Sequence, residues 1–470
     1  MKVLIVNPVW SFQNYPPLNL VELASYLIGN GFKNTKILDL NFEIKNKFKV
    51  DNLIEESRKK ILKEKPDAVC ITCNAVQFPF VCELSRELKS RTKIPVVIGG
   101  VMPSLGAESV LKLTQADFAV RGEGELTLTE LLTGIKNKKN LKRIKGLSYI
   151  DKNGKPKNNS ERELLDLNCL PEPRFDLISE NLKNNKNVWL TASRGCAYKC
   201  GFCSGNAIWK YQRRKNIDSI IKQLLALKKK YGVKNFIFGD DCLTLNKEWI
   251  KELCGKMIPL KLKWGCLARI DSIDEEILVC LKKAGCVSIY HGIESGSAAV
   301  RKNLDKNIKD NDNKKIFGAV KKELEYGFKV TCSFMSGIPF ETKKDIMQTF
   351  NFAKKLQKTG AAIQLWLLTP YYGLKILKEY KKQVVETDRT KYNLQKDIFH
   401  NAQMFLYSRF IDKYKKYNPD NFIFLPQDMR FEQFVKLFCN IHKKLGLDKN
   451  KKKLTEKEVF ILKTVLAKNE

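Results

Sequence analysis

The sequence predicts two successive α/β units, first a doubly wound sheet and then an incomplete parallel barrel, with a helical carboxy-terminal region behind them. Three observations carry this. Short apolar runs alternate with helical patterns over residues 1–145. The alternation restarts near Val188, after a polar stretch with Pro171 and Pro173. A tight group of cysteines directly follows the first strand of the second run. Strands alternating with helices imply parallel sheets, whose ligands sit at the carboxyl ends of the strands.

In the first unit, Lys2 to Asn7, Thr35 to Leu40, Asp67 to Thr72, Ile94 to Gly100 and Asp117 to Arg121 each read as a buried strand. Leu18 to Ile28, Asp51 to Lys63, Phe80 to Lys89 and Ser104 to Lys112 carry helical spacing between them. The strand ends place Asn7, Pro8, Asp39, Thr72, Gly99, Gly100, Gly122 and Glu123 where a ligand would lie. Residues 146–185 are expected to be a linker. In the second unit, 186–378, strands are expected at Val188 to Ala192, Asn235 to Phe238, Lys261 to Leu267, Val287 to His291, Lys329 to Phe334 and Ala361 to Leu368. Asp274-Glu275-Glu276 opens a helix that Gly285 closes, and Thr342 with Asp345 suits an amino-terminal cap. Six strand–helix repeats fit a partial barrel. Residues 379–470 are expected to be helical and to help shape a substrate pocket.

Composition bounds the setting. The chain has 470 residues, room for two or three domains. Its 14 cysteines are scattered through apolar segments, and the apolar start is too short for a secretory core. Reduced thiols in a cytoplasmic protein are therefore expected. No apolar run reaches membrane-spanning length. The net charge of +34 raises a nucleic-acid partner, but the lysines are spread over linkers such as Lys136 to Lys145 rather than gathered with aromatics. The charge favours anionic substrates instead.

The chemistry lies in residues 194–205, Arg-Gly-Cys-Ala-Tyr-Lys-Cys-Gly-Phe-Cys-Ser-Gly. Cys196, Cys200 and Cys203 have the spacing C-x3-C-x2-C in the first loop at the barrel's carboxyl end. Most [4Fe-4S] clusters take four cysteines; three leave one iron open to a small molecule. A structural zinc would need a fourth ligand, and the next Cys is Cys242, the first His His291. Three core thiols are the other alternative.

This pattern, down to Phe202 before the third cysteine, resembles the signature of the radical SAM superfamily. The resemblance implies a [4Fe-4S] cluster whose open iron is chelated by S-adenosylmethionine (SAM), which an electron from the cluster cleaves to methionine and a 5′-deoxyadenosyl radical. It implies an electron donor such as flavodoxin or ferredoxin. Later motifs agree in order. Phe238-Gly-Asp-Asp resembles the segment that holds the SAM amino group, through Asp240 or Asp241. Leu267-Ala-Arg-Ile-Asp is similar to the segment whose Arg, here Arg269, pairs with the SAM carboxylate. Gly292-Ile-Glu-Ser-Gly resembles the ribose-contacting segment, with Glu294. Ser333 to Glu341 looks like the Gly-Ile-Pro-Gly-Glu turn, with Ser333 and Gly337 at the site and Phe340 where Gly is usual; turn geometry and adenine packing are its implied role. Leu368-Thr-Pro-Tyr-Tyr-Gly, with Pro370, resembles a segment bordering adenine.

Pro16-Pro17-Leu18, Val97 to Pro103 and Arg121-Gly-Glu-Gly-Glu125 look like the Rossmann-like, cobalamin-binding half of B12-dependent radical SAM proteins, as does the stretch from Leu165 to Leu177. The Asp-x-His-x-x-Gly motif is missing, and the three histidines, 291, 400 and 442, all lie outside this half. The resemblance thus implies cobalamin without a lower His ligand from this domain. Cys70 and Cys73 are expected to be core thiols, and with Cys82 they do not resemble a methylthiotransferase's extra cluster. The implied activity is methyl transfer to an unactivated carbon of a small-molecule, lipid or peptide substrate. A cyclase, rearrangement or oxidation enzyme is the alternative, and a non-catalytic iron–sulfur protein that binds nucleic acid the alternative of another class.

Overall fold

Continuous apolar runs become strands buried on both faces, and they organise the chain into two sheets. The structure, a computed structural model, describes residues 1–9, 15–47, 53–75, 77–185, 187–308, 311–371, 373–386 and 422–447. In the first domain, β1 (Lys2–Asn7), β2 (Asn34–Asp39), β3 (Ala68–Thr72), β4 (Val96–Gly99) and β5 (Phe118–Val120) form a parallel array in the order β2-β1-β3-β4-β5. Alternate side chains feed two cores. Leu4, Val6, Val69 and Ile98 face one layer of helices, and Val3, Ile5, Cys70 and Val97 face the other.

The sheet does not stop at the expected boundary. β6 (Leu147–Ile150) and β7 (Pro156–Asn158) extend it antiparallel to seven strands. The segment expected as a linker therefore begins as sheet. The rest of it is a strap: the Arg174 amide donates to Ser25, Asn181 donates to Asp39, and Asn168 accepts from the Asn216 amide.

The barrel sheet runs β15-β14-β13-β12-β11-β8, all parallel. Its strands are β8 (Asn187–Leu190), β11 (Asn235–Phe238), β12 (Lys263–Ala268), β13 (Cys286–Glu294), β14 (Lys329–Ser336) and β15 (Ala362–Leu367). Between the first two, β9 (Ser193–Arg194) and β10 (Arg213–Arg214) pair as a short antiparallel ribbon. Outward side chains such as Phe236, Trp264, Ile289 and Phe334 pack against helices in one large core, which also takes Leu18 and Val21 from the first domain. The two predicted caps form: Asp274 accepts from the Ile277 amide, and Thr342 with Asp345 makes a reciprocal capping box. In the carboxy-terminal region, β16 (Val384–Glu386) and β17 (Phe422–Phe424) form a ribbon, and helix Phe431–Lys444 sinks Phe434 and Phe438 into the barrel core. The region is therefore not helical throughout; 387–421 and 448–470, expected to be helical, lie outside the described residues. Among the described residues no helix is long and apolar enough to cross a membrane.

Two buried charge arrangements lock this frame. His291 on β13 is fully buried, with Nδ1 2.9 Å from the Ala268 carbonyl and Nε2 2.9 Å from the Glu323 carboxylate. Both nitrogens face acceptors, so the ring is held as the imidazolium. Burial opposes that charge, but Glu323 outweighs it and the pKa is raised. The second arrangement joins the domains. Arg194 lies among Glu22 (3.0 Å), Glu123 (3.3 Å) and Glu125 (2.7 Å); Arg213 pairs with Glu123 (2.7 Å) and Lys215 with Glu22. Three carboxylates from the first domain thus balance three cations of the barrel out of water. Buried charges persist only when so paired.

Two outcomes follow from these pairs. The His291 contribution is complete below pH 6.5, the group's ordinary value, and is lost as pH rises through the higher folded value. Melting temperatures from pH 6 to 9 should show a downward component that His291→Gln lacks. Glu123→Gln should cost about 3 kcal/mol in urea unfolding and open the 195–212 loop to limited proteolysis, because two buried arginines lose a shared partner.

Candidate functional site

The ribbon β9/β10 closes residues 195–212 into a loop, and all three predicted cysteines lie on it. The loop starts with Gly195 at φ +84°, where a Cβ would stand 2.5 Å from the Tyr211 carbonyl oxygen. Only glycine fits so close an approach in that conformation. Cys196, Cys200 and Cys203 are partly exposed, whereas Cys70, Cys73 and Cys82 are buried. Burial raises all three loop thiols, Cys200 to about 11; the Tyr198 amide, and those of Gly205 and Asn206, act in the opposite sense on Cys196 and Cys203. Backbone N–H groups aimed at sulfur favour the thiolate form that iron requires. The donor set fits a three-cysteine cluster. Among the described residues no three His, Cys, Asp or Glu side chains gather so as to hold a single ion; a cluster asks for less, since each cysteine takes a different iron. Cys70 lies inside the first sheet with its thiol pushed up to about 12, as a core residue.

Around the loop the strand ends supply charge. Asp241 stands beside Gly205 and accepts from the Gly195 amide. Its neighbour Asp240 does different work from that expected: it is buried, accepts from the Ser193 hydroxyl and the Ala192 amide, and ties β11 to the root of the cysteine loop. Arg269 also differs from expectation. Its Nε and Nη2 are taken by Asp271, both at 2.9 Å, and its guanidinium lies 3.5 Å from the centre of the Tyr198 ring. It braces the loop, with its bidentate face already filled.

A buried lysine, Lys306, also stands beside the cysteine loop, and sequence reasoning missed it. It is buried, its Nζ lies 2.9 Å from Glu294 Oε1, and the Phe202 ring centre is 6.0 Å away. Burial works against its charge, yet Glu294 and Cys200 raise its pKa above the ordinary lysine value. Fully buried Arg301 shapes the turn that delivers it, donating to the Ser295 carbonyl at 2.6 Å. Lys306 carries no sequence signal of its own, since Lys302 and Lys309 flank it in a chain rich in Lys.

Glu294 lies at the end of β13 with φ +70°, just past an irregularity in the β13/β14 register. Ser333 is buried on β14 and Gly337 follows β14. Phe202, Phe340 and Tyr371 pack round one small core with Ile338 and Leu368, next to Pro370. Glu341 accepts from the Gly337 and Ile338 amides and the Ser336 hydroxyl. Burial pushes it up to about 8, in keeping with a part in turn geometry.

The carboxyl end of the first sheet faces this rim. Gly373, φ +80°, would place a Cβ 3.0 Å from the Leu105 carbonyl, and Tyr371 packs on the first-domain core. Thr72, Gly99 and Gly100 lie together there, and Gly122 donates its amide to Ser104. Four expected ligand positions have other partners. Asn7 donates to Asp39, which also accepts from Asn181, so both face into the domain rather than outward. Glu123 accepts from Arg194, Arg213, Trp209 and the Leu165 amide and serves the domain interface. Pro8 borders Gln77, whose amide approaches its carbonyl at 3.5 Å.

Residues 11–132 match the B12 binding domain, and residues 190–353 match the radical SAM superfamily. An uncharacterized methyltransferase of Pyrococcus horikoshii is 31% identical over 370 residues, 77% of either chain. The anaerobic magnesium-protoporphyrin IX monomethyl ester cyclase of Rubrivivax gelatinosus is 26% identical over 420 residues, 84% of this chain and 72% of that one. In fold, the chain is similar to the radical SAM methyltransferase TsrM of Kitasatospora setae, with a TM-score of 0.69 at 19% identity, covering 82% of this chain and 78% of TsrM. A cysteine loop at the mouth of a partial barrel, facing a B12 binding domain across the strand ends, has one family meaning. The chain belongs to the cobalamin-dependent radical SAM enzymes, whose cofactors are a [4Fe-4S] cluster, SAM and cobalamin.

Proposed function

We propose that the protein methylates an unactivated carbon of its substrate. The observation that carries this reading is the apposition of the two strand-end faces, which brings a corrinoid domain and a SAM-cleaving loop to one crevice. When bound, the cofactors supply a hydrogen-abstracting carbon radical and a transferable methyl group. The chain's own residues bind and orient. Cys196, Cys200 and Cys203 hold the cluster. Asp241, rather than Asp240, accepts the SAM ammonium. Lys306 takes the SAM carboxylate in place of Arg269; its burial and its position beside Cys200 support this. Glu294 turns its second oxygen to ribose hydroxyls, with Ser333, Gly337, Phe202 and Pro370 around the nucleoside. Thr72, Gly99, Gly100 and Gly122 border the corrinoid, because they are the strand-end positions whose side chains, or lack of them, are not spent on an internal ion pair or side-chain network.

The substrate needs a reductant beside it, and the net charge of +34 supports an acidic donor protein of flavodoxin or ferredoxin kind. The relatives include both a methyltransferase and a cyclase, so the deciding measurement follows the methyl group. Anaerobically reconstituted protein, given substrate and methyl-labelled SAM, should yield 5′-deoxyadenosine, S-adenosylhomocysteine and labelled product. Deoxyadenosine with unlabelled product would establish the cyclase or oxidation reading. Cys200→Ala should lose the cluster's visible absorbance and all deoxyadenosine. Lys306→Met should weaken SAM binding about tenfold or more at unchanged cluster content; equal affinity returns the carboxylate to Arg269.

A further inference from the structure

The inner wall of the barrel has a chemistry of its own. Along β8 to β15 the outward positions are buried against helices, while the alternate positions are partly open. These inward positions include Trp189, Leu267, Tyr290, Gln364 and Trp366, with Ser333 buried among them. Register places Leu267 beside Tyr290, Ser333 beside Gln364, and Met335 beside Trp366. Among the described residues, none of these strands carries an inward charge between its ends. Lys263 and Lys329 stand at the lower mouth, and Asp241 and Glu294 at the upper rim. A charged group entering this space would lose water and meet no partner. A flat apolar one would meet indole and phenol faces.

One polar device breaks that surface. Trp366 Nε1 lies 3.2 Å from Gln364 Oε1, and the Tyr290 hydroxyl lies 2.9 Å from the same atom. An indole nitrogen only donates, so the atom it meets is the amide oxygen, and the orientation of Gln364 follows. Both lone pairs of that oxygen are used. Burial raises the pKa of the Tyr290 hydroxyl, against Ser333 and Trp366, which also lie near it and favour its ionised form. The Gln364 amide nitrogen remains with no protein acceptor among the described residues, on a side chain whose rotation is already blocked.

We propose that the inner wall binds an uncharged, planar ring of the substrate, and that Gln364 Nε2 donates to a carbonyl oxygen or ring nitrogen on it. This rests on the barrel being the reaction chamber, and it names the class of molecule the chamber selects. Tyr290 and Trp366 are positioning residues for Gln364, and Ser333 links them to the SAM side of the wall.

The test uses the reconstituted full-length protein with cluster and SAM, and saturation-transfer NMR titration of four probes. Indole-3-carboxamide and quinolin-2-one are flat, neutral and carry an acceptor; indole-3-carboxylate and quinoline-2-carboxylate are their charged counterparts. The neutral pair should bind saturably, about tenfold or more tighter than the acids. Gln364→Glu keeps the oxygen that Tyr290 and Trp366 bond but removes the donor. It should weaken the carboxamide about tenfold and gain affinity for cationic tryptamine. Equal binding of acids and neutrals, no saturable binding of either neutral probe, or an unaltered profile in Gln364→Glu would each overturn the proposal. The electron paramagnetic resonance change of the reduced cluster on SAM addition separates the two levels. If wild-type protein shows no such change, the SAM-cleaving reading fails; if it does and the probes fail, only the substrate inference falls.

Discussion

The position of the cysteine loop depends on one guanidinium. Arg194 ends β9, one residue before Gly195 and two before Cys196, and it is surrounded by Glu22, Glu123 and Glu125 of the other domain. Arg213 leaves the far side of the same ribbon and reaches Glu123 too. Both ends of the loop are therefore fixed to the corrinoid domain as well as to the barrel. Six buried charges cancel, and none is satisfied by its own domain alone. Desolvation makes each uncompensated charge costly, so the domains hold one relative position rather than a range.

That constraint gives the site its layered construction. Asp240 ties the second barrel strand to the root of the loop, and Arg269 braces the loop through Tyr198. These residues sit in family motifs yet spend their polar atoms on protein. Asp241, Lys306 and Glu294 lie at the same rim with less of their bonding capacity consumed. Preorganised charge of this kind orients a zwitterionic ligand without reorganisation when it arrives. The carboxy-terminal helix contributes from behind, since Phe434 packs against Gly337 at the turn after β14.

Charged and uncharged side chains are separated by layer in the barrel. Charged groups, Asp241, Lys306 and Glu294, occupy the rim. The wall below is neutral and aromatic. On the proposed reading, such a division would set a polar anchor for SAM above an apolar chamber that limits water.

Much of this was legible in the residues themselves. Strand–helix alternation identified both parallel sheets, and C-x3-C-x2-C identified the cluster, because periodicity and ligand spacing are local properties of the chain. The antiparallel extension at 147–158 escaped, since its strands are only four and three residues long and sit in a polar stretch; β6 is held by pairing with β5, and β7 by pairing with β6. The partners of Asp240, Arg269, Glu123 and Asp39 escaped for a different reason. A motif says that a charge stands at a strand end; it does not say which neighbour from another strand or domain has reached it first. Lys306 shows the converse, a residue lost among many lysines until the turn built by Arg301 buries it beside the loop. The sequence by itself determined the two successive α/β units and the cofactors, and it set three cysteines in one loop. Tertiary structure alone decided which carboxylates and cations are taken up by protein partners, because that depends on desolvation and on pairs formed between residues distant in the chain.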